Sequence, residues 1–528
     1  IHKTGTGTLT WDPTGGILKV GTLDVQSGTF STSSAMEVGT LTLNERAYAF
    51  LYNKTAADAA NKNIGRLIMG NYAYLVVYDT EDSSYQTRID EIVVNGASVG
   101  VQDYMFNKNS NIGVGKLSLA DGVSSANISF QASGGGSKTT VYELGDAQTE
   151  AGNFAGKITL SGRASHGAMI LSGAEVAKNA EIEIGTGITN YYLALGINAD
   201  DATIAGLSSA DTHKDFTKLF SGAVSATTAF NTANITNAAT RNLIINTAAN
   251  TSYTFYGEVL QGVNLTKTGA GTQAFAGTVG SASVAVLGGT LDMTAAALTD
   301  SALADVTLGR GGQLSMGNLN LTTGKSLSVL GDDMSSTATL SGSLTLGGGN
   351  LSFTGSALDS TTAALTVSGG ISLSASTQTI TLTDVESLVE GNSYYLISGS
   401  FAEGITADHF SLAGLSGGYT GTLSMQNGGL WFTLTGVSVD PNAHIWGGTT
   451  ENYTWDSTTF GVVDSGDLGT KPATFDDSAA NHYVELSGSV QAANGVVFNN
   501  AEDYTVGFSN IHSSLSTTDL VLEGEGAV

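Results

Sequence analysis

The chain has 528 residues, of which 20 are Lys or Arg and 47 are Asp or Glu, so its formal net charge at pH 7 is −27. It contains 69 glycines, 3 prolines and no cysteine, which excludes a disulfide framework, a Cys-ligated metal site and a collagen triple helix. The negative charge argues against a nucleic-acid-binding protein, because phosphate contacts need clustered Lys and Arg. The sequence contains no run of about 18 apolar residues, so no membrane-spanning helix is predicted.

Residues 1–145 predict short strands that are separated by glycine corners. Apolar residues alternate with Thr, Ser and other small polar residues, a period of two that is typical of strands with one buried face. The triplet Gly-Thr-apolar recurs, starting at Gly7, Gly21, Gly28 and Gly39. Residues 66–69 and 74–78 predict two stronger strands inside a tyrosine-rich segment. We interpret this part as the N-terminal portion of a repeat architecture.

The rest of the chain divides into three further parts. Residues 146–260 predict an irregular part, because residues 197–240 are rich in Ala, Thr, Asn and Asp and only weakly periodic. Residues 261–440 predict regular repeats of strands and glycine corners, as in residues 343–354. Residues 441–528 predict the start of a further module, which opens with Trp446-Gly447-Gly448.

Repeats of this kind favour one stacked architecture over separate domains. Strands and glycine corners that recur at short intervals along a long chain are typical of a β-solenoid, in which each turn stacks on the next. Proline is scarce, as expected when nearly every strand needs its N–H group for the ladder. We therefore predict an all-β protein, a right-handed parallel β-helix (β-solenoid) rod with irregular insertions. A set of β-sandwiches is the alternative that the local pattern leaves open.

The repeats also resemble a known family. The run Leu265-Thr266-Lys267-Thr268-Gly269-Ala270-Gly271-Thr272, followed by Gly289-Thr290-Leu291, is similar to the autotransporter-associated β-strand repeat. Lys3-Thr4-Gly5-Thr6-Gly7-Thr8 matches the same pattern, and the region from Trp446 resembles the opening of such a unit. This repeat occurs in passenger regions of surface and secreted proteins of Gram-negative bacteria. The resemblance implies a β-helix in an extracellular or outer-membrane-attached setting, and implies little about ligand or activity.

No catalytic group of residues stands out. Solenoid enzymes that cleave polysaccharides use clustered carboxylates, and Asp332 with Asp333 is the nearest match to such a pair. No basic or histidine motif accompanies it, so acidic residues at a solvated turn are the competing interpretation. Val463-Asp464-Ser465-Gly466 resembles a protease nucleophile motif without the His and Asp that a triad requires. We predict no catalytic site and no metal site, with a carbohydrate-active hydrolase or lyase as the alternative.

Ligand recognition is better supported by aromatic residues. Tyrosine rings can stack on sugar rings while their hydroxyls form hydrogen bonds, so Tyr72, Tyr74, Tyr78 and Tyr85 are the predicted ligand-binding residues. Tyr191-Tyr192 and Tyr394-Tyr395 are further candidates, and the alternative is that all these rings only cover the solenoid. We predict no cofactor, with calcium as the alternative, because acidic turns supply oxygen ligands. The candidate clusters are Asp79, Glu81 and Asp82, and Asp476 with Asp477.

The predicted function is that of a non-enzymatic adhesin or structural stalk. Its expected partners are host or environmental glycans or mucin, with no nucleic acid. A subunit of an extracellular fibre or matrix, associating end to end, is a further alternative.

Overall fold

The structure, a computed structural model, describes most of residues 1–437 and short segments of residues 444–523. The described residues are 1–12, 16–53, 62–79, 86–105, 110–133, 139–145, 152–163, 165–186, 191–223, 239–331, 336–385, 388–413, 415, 419–437, 444–445, 454–455, 473–476, 482–486, 489–492, 496–499, 503–508, 514–517 and 520–523. They form a β-solenoid of about 15 turns built from parallel sheets. The predicted all-β solenoid class is confirmed.

The chain divides into two compact units. The first comprises Ile1–Ser352, Thr362–Gln378 and Ile397–Ile405, and the second comprises Phe353–Thr361, Thr379–Leu396 and Thr406–Val528. The described residues include short 3-10 turns at Asp211–Phe216 in the first unit and at Gly355–Ala357 and Ala407–His409 in the second.

Three parallel sheets form the faces of the solenoid in the first unit. The first sheet consists of β1 (His2–Lys3), β3 (Ile17–Val25), β5 (Ala35–Leu43), β7 (Lys62–Gly70), β9 (Gln86–Asn95), β11 (Ser110–Leu119), β13 (Thr139–Leu144), β15 (His166–Leu171), β17 (Leu193–Ile197), β19 (Thr217–Ser221), β22 (Glu258–Val259), β25 (Thr278–Val279) and β28 (Ala297–Leu298). The second sheet contains, in this unit, β2 (Thr8–Trp11), β4 (Thr29–Thr32), β6 (Tyr48–Asn53), β8 (Tyr74–Asp79), β10 (Ser98–Met105), β12 (Ala126–Ala132), β14 (Ala155–Gly162), β16 (Ala177–Thr186), β18 (Asp201–Ser209), β20 (Arg241–Asn246), β23 (Val263–Thr268), β26 (Ser283–Val286), β29 (Asp305–Gly309) and β31 (Ser326–Leu330). The third contains β21 (Ser252–Phe255), β24 (Thr272–Phe275), β27 (Gly289–Asp292), β30 (Gly312–Thr322), β32 (Ala338–Gly347) and β34 (Leu365–Leu373).

The remaining strands carry residues of the second unit. They are β33 (Asn350–Thr354), β35 (Gln378–Thr383), β36 (Ser393–Phe401), β37 (Phe410–Leu412), β38 (Tyr419–Gln426), β39 (Gly429–Val437), β40 (His444–Ile445), β41 (Thr454–Trp455), β42 (Ala473–Asp476), β43 (Tyr483–Leu486), β44 (Ser489–Ala492), β45 (Val496–Asn499), β46 (Thr505–Phe508), β47 (Ser514–Thr517) and β48 (Leu520–Glu523). β38 and β39 form an antiparallel hairpin. Strands β40 to β48 pair in parallel in three small sheets, and Trp455, Phe475 and Phe498 belong to their buried core.

Alternation along each strand produces a continuous apolar interior. Leu23, Leu41, Leu67, Ile92 and Leu117 are register partners on five successive strands of the first sheet, and none of their side chains is exposed. Each therefore packs against the equivalent residue of the turns before and after it. A column of this kind removes apolar surface from water at every turn, which is the main source of stability in a stacked repeat.

The length of a turn varies along the chain. Thr29 pairs with Tyr48 on the next turn, whereas the interval in sequence from Ser129 to its partner Thr159 is considerably longer. The strands still pair in parallel with largely continuous register, and the register shifts within pairs such as β14 with β16 and β30 with β32. Functional side chains can therefore stack across turns although their spacing in the sequence is irregular.

The lysine-glycine motif forms a corner of the solenoid. At residues 267–272, between β23 and β24, the Lys267 side chain is 1% exposed and donates hydrogen bonds to the carbonyl oxygens of Thr268 (2.5 Å), Gly269 (2.9 Å) and Gly288 (3.3 Å). Gly269 has a φ of +70°, which glycine adopts without strain. Burial lowers the pKa of Lys267 to about 8, so the amine is protonated at pH 7. The buried ammonium group thus supplies a donor to three carbonyl oxygens of the corner, of which that of Thr268 also accepts a backbone hydrogen bond of 3.2 Å from Thr247.

The same corner occurs at residues 3–8, between β1 and β2. Lys3 donates to the carbonyl oxygens of Thr4 (3.1 Å), Gly5 (2.6 Å) and Ser27 (3.1 Å). Gly28 lies over this corner with a φ of +74°, and a Cβ there would approach the Gly7 oxygen to 2.5 Å. The first copy joins the first sheet to the second, and the copy at Lys267 joins the second sheet to the third. The motif therefore specifies a corner and not a particular face.

Candidate functional site

Two of the predicted ligand-binding tyrosines lie together on the outer face of the second sheet. Tyr74 and Tyr78 occupy β8, where Leu75 and Val77 point into the core. Tyr72 lies at the preceding corner, is 49% exposed, and has a φ of +58°. Tyr85 lies outside the described residues. The structure thus brings Tyr74 and Tyr78 onto one surface with Tyr72 beside it.

Tyr74 and Tyr78 belong to a larger set of stacked rings. The ring centroids of Tyr48 and Tyr74 are 5.6 Å apart with an interplanar angle of 10°, and those of Tyr52 and Tyr78 are 4.6 Å apart with an angle of 14°. Each of these pairs consists of register partners on β6 and β8. We define the aromatic ladder as these six half-exposed rings: Tyr48, Phe50 and Tyr52 of β6, Tyr74 and Tyr78 of β8, and Tyr104 of β10.

A glycine on β10 makes room for one of these rings. Gly100 is the register partner of Tyr74, and a Cβ at Gly100 would overlap the Cε1 and Cδ1 atoms of the Tyr74 ring. The ring therefore lies over the backbone of the next turn. Tyr253 covers Gly206 in the same way further along the solenoid. Glycine opposite an aromatic residue is a recurring packing device in sheets.

The ladder presents polar groups as well as apolar surface. Burial, with smaller contributions from Tyr52 and Tyr104, raises the pKa of Tyr78, so its hydroxyl stays protonated and can donate a hydrogen bond. Face-to-face stacking covers the ring faces between turns, which leaves edges and hydroxyls toward solvent. A ring face is open only where the stack ends, and Tyr48, at the β6 end, is 37% exposed. Chemically, the surface can combine ring stacking with hydrogen bonding.

Sequence reasoning identified the tyrosine-rich segment but missed part of the ladder. The predicted ligand-binding residues did not include Tyr48, Phe50, Tyr52 or Tyr104. The ring centroid of Phe50, for example, lies 5.9 Å from that of Tyr78 and 6.2 Å from that of Tyr48. The alternation Tyr48-Ala49-Phe50-Leu51-Tyr52, in which every second residue is aromatic, is the signal that could have found it.

Tyr191 and Tyr192 lie near a buried histidine and not on the ladder. The Nδ1 atom of His166 accepts a hydrogen bond of 2.8 Å from the backbone N–H of Tyr192, and the two rings stack with centroids 5.6 Å apart. Tyr191 packs edge-on against the same imidazole. Burial lowers the pKa of His166. These two tyrosines therefore have a clear packing role at this corner.

The folding stability of the protein should decrease at acidic pH because His166 is buried. The unfolded chain takes up a proton at His166 near the ordinary pKa of about 6.5, whereas the folded chain resists protonation, so folding stability falls as the pH drops below about 6.5. The variant His166→Asn keeps an acceptor without the titration. We expect the loss of stability between about pH 7 and pH 5 to be smaller in this variant than in the wild type. Urea unfolding followed by circular dichroism at both pH values measures the difference, and equal losses would contradict the assignment.

Tyr394 and Tyr395 lie in the second unit and have different surroundings. Tyr394 is 7% exposed and its hydroxyl accepts a hydrogen bond of 2.7 Å from the backbone N–H of Val389. Tyr395 stacks on Trp431 of β39, with ring centroids 4.2 Å apart. Tyr395 and Trp431 therefore form a half-exposed aromatic pair, which is much smaller than the ladder.

The acidic pairs give no catalytic or metal geometry within the described residues. Asp332 and Asp333 lie outside them, as do Glu81, Asp82, Asp477 and the side chains of Asp79 and Asp476. Asp200 forms an ion pair with Arg241, and Asp201 accepts a hydrogen bond of 2.6 Å from the Asn242 side chain. In the part of the chain that is described, no group of three or more His, Asp or Glu side chains is placed to hold a metal ion.

A shallow groove crosses the outer face of the first sheet. It follows three stacked glycines: a Cβ at Gly39 would lie 2.7 Å from the Gly21 oxygen, and one at Gly65 would lie 2.8 Å from the Gly39 oxygen. Lys19 and Glu37 border it and form an ion pair of 2.6 Å. Because these two charges already pair with each other, the aromatic ladder remains the stronger candidate for ligand recognition.

None of the described helices has the combination of length and apolar character that crossing a membrane requires. A comparison of the chain with protein-family models, with curated proteins and with solved structures gives no match.

Proposed function

We propose that this chain is a non-enzymatic adhesin of the extracellular space or bacterial cell surface, similar to an autotransporter passenger, and that it binds glycans through the aromatic ladder. The observation that carries this proposal is the set of six aromatic rings on one outer face of the solenoid. A monomeric protein that needed these rings only for its core would direct them inward.

Physical chemistry supports a sugar as the ligand. Tyrosine side chains offer an apolar ring and a hydroxyl that can act as donor or acceptor, which suits the mixed surface of a carbohydrate. The ladder is also held rigidly, because each strand is hydrogen-bonded to the turns on both sides. Preorganised side chains lose little entropy on binding, so such a surface can bind with useful affinity.

The solenoid supports presentation of this surface. Each turn contacts mainly its neighbours, so the stabilising interactions add along the stack. In the proposed role the remaining turns form the stalk that displays the ladder, and the charge of −27 limits association with other acidic surfaces at low salt.

A triple variant tests the proposal. Tyr48→Ser, Tyr52→Ser and Tyr78→Ser together remove three rings but keep small hydroxyl residues, which occupy the equivalent outer positions Thr29 and Ser31 one turn earlier. We expect wild-type protein to bind polysaccharides or mucin, measured by isothermal titration calorimetry. The triple variant should bind at least about tenfold more weakly, since each stacked ring contributes about 0.5–1.5 kcal/mol and three rings are removed.

Two controls accompany this measurement. Tyr395→Ser removes an aromatic ring outside the ladder and should leave binding unchanged. Reducing sugars are assayed in the same samples, and no release is expected. Release of product that stops in the double variant Asp332→Asn and Asp333→Asn would overturn the non-enzymatic assignment, and wild-type affinity in the triple variant would exclude the ladder as the binding surface.

A further inference from the structure

The aromatic ladder begins at β6, and the neighbouring strand β4 carries much smaller side chains on the same face. We call this change in side-chain height the step. The residues of β4 that pair with its first rings are small: Thr29 is the register partner of Tyr48, and Ser31 is the partner of Phe50. One turn earlier, Thr8 pairs with Thr29 and Thr10 pairs with Ser31. The rings of β6 therefore rise beside a floor of hydroxyl side chains. We call this arrangement the ledge: a wall of Tyr48 and Phe50 with a floor of Thr8, Thr10, Thr29 and Ser31.

The opposite end of the ladder has no equivalent step among the described residues. Tyr74 lies over Gly100, so its ring occupies the space above the next strand. Beyond it the Gln102 side chain donates a hydrogen bond of 3.1 Å to the Ser133 hydroxyl, which bridges β10 and the following turn. The ledge on the β4 side is thus the place where aromatic faces and hydroxyl groups meet.

The wall runs along a strand and matches an extended ligand. The centroids of Tyr48 and Phe50 are 6.2 Å apart, with an interplanar angle of 11°. Phe50 and Tyr52 continue the row at 6.5 Å and 23°. The two rings of the wall and Tyr52 beyond them thus form a row of three rings at similar spacing, which suits a linear polymer lying parallel to β6 better than a single compact molecule.

The charge around the ledge favours a neutral ligand over an anionic one. The five strands that build the ledge and the ladder, β2, β4, β6, β8 and β10, contain no Lys or Arg. The chain as a whole carries a charge of −27. The described cation Arg46, which precedes β6, lies 5.9 Å from the centre of the Tyr72 ring and forms an ion pair with Glu45. Apart from this paired charge, an anionic polymer would meet repulsion at the described surface without the cationic partners that usually bind sulfate or carboxylate groups.

We propose that the ledge binds a neutral, linear polysaccharide, with sugar rings stacked on the β4-facing sides of Tyr48 and Phe50 and sugar hydroxyls hydrogen-bonded to Thr29 and Ser31. This inference rests on the proposed glycan-binding function. It adds the chemical class of the ligand, its direction along β6 and two residues outside the ladder that contact it.

The test fills the step or removes its hydroxyls. Thr29→Tyr places a further ring on the floor, and Thr29→Val keeps the shape of threonine but removes the hydroxyl. The probes are dextran, mannan and laminarin, with dextran sulfate as the charged counterpart of dextran. We expect a neutral probe to bind, Thr29→Tyr to weaken binding at least tenfold, and Thr29→Val to weaken it several-fold. Binding should change little between about 0.05 and 0.5 M NaCl, because screening acts on charged ligands.

Matched controls separate the ledge from a general effect. Thr40→Val and Thr40→Tyr alter a threonine on the outer face of β5, in the first sheet, and should leave binding unchanged. Circular dichroism checks folding, and Ser31→Tyr serves as a second filling variant should Thr29→Tyr not fold.

The outcomes distinguish the two proposals. If neutral probes bind and the ladder triple variant loses binding while all Thr29 and Ser31 variants bind as the wild type does, the ledge is wrong and the adhesin stands. Binding of dextran sulfate or mucin alone, weakened by salt, would overturn the neutral class. Failure of every glycan to bind would overturn the glycan-binding function itself and the ledge with it.

Discussion

Replacing Gly289 by alanine should strongly destabilise the middle of the solenoid. Gly289 has a φ of +62°, a conformation that costs a residue with a Cβ about 1–2 kcal/mol. An added Cβ would also overlap the carbonyl oxygens of Gly269 and Gly271 on the preceding turn. These are backbone atoms that accept hydrogen bonds, including one of 3.0 Å from Thr290 to Gly271, so neither can move away without breaking the stack.

Hydrogen exchange at the amides of residues 263–292 is the direct measurement, because a long repeat protein need not unfold in one step. Gly324→Ala is the matched control: Gly324 has a φ of +85°, but no atom lies within 4 Å of the position that its added methyl group would take. We expect faster exchange around Gly289 in Gly289→Ala than around residue 324 in the control. Equal effects would show that positive φ alone, and not close stacking of turns, determines the cost.

Replacing Lys267 by methionine should produce the second large effect. The variant keeps an unbranched side chain of similar length but removes the ammonium group that three carbonyl oxygens share. Leaving a buried acceptor unsatisfied costs about 1–3 kcal/mol, and more than one acceptor is affected here. We expect a lower urea midpoint for the loss of β-structure and faster exchange of amides in β23 and β24.

Lys325→Met provides the control for this substitution. Lys325 is half-buried and donates to a single carbonyl oxygen, that of Ala302, at 3.1 Å. Its replacement should cost less than that of Lys267. If both variants lose stability equally, the three-carbonyl arrangement is not the source of the effect and the apolar stem of the lysine accounts for it.

Much of the fold could be predicted from local pattern. The strands expected at residues 66–69 and 74–78 lie within β7 and β8, because alternation of apolar and polar residues is a local property that stacking does not override. The lysine-glycine motif was recognisable as a repeat, but its role was not. Only the folded chain shows that Lys267 reaches the Gly288 oxygen of the next turn, since that contact depends on how far apart the turns are in sequence.

The candidate site was harder to predict for the same reason. Tyr48 and Tyr74 stack because the interval between them in the sequence is one full turn at that point of the solenoid. Elsewhere a turn is shorter or longer, so no fixed period would have aligned Tyr52 with Tyr78. Likewise, the small size of Gly100 matters only once Tyr74 is known to lie opposite it. Cross-strand neighbours are set by register, and register here depends on corner lengths that the local pattern leaves undetermined.

The lysine-glycine corner serves two different pairs of faces with nearly the same hydrogen bonds. The geometry of the corner is therefore independent of the two sheets that it joins. We expect that whole turns bounded by such corners could be duplicated, deleted or exchanged without changes to the sequences of the adjacent turns. A lineage, or a protein engineer, can accordingly change the length of this solenoid in whole turns while the aromatic ladder stays intact.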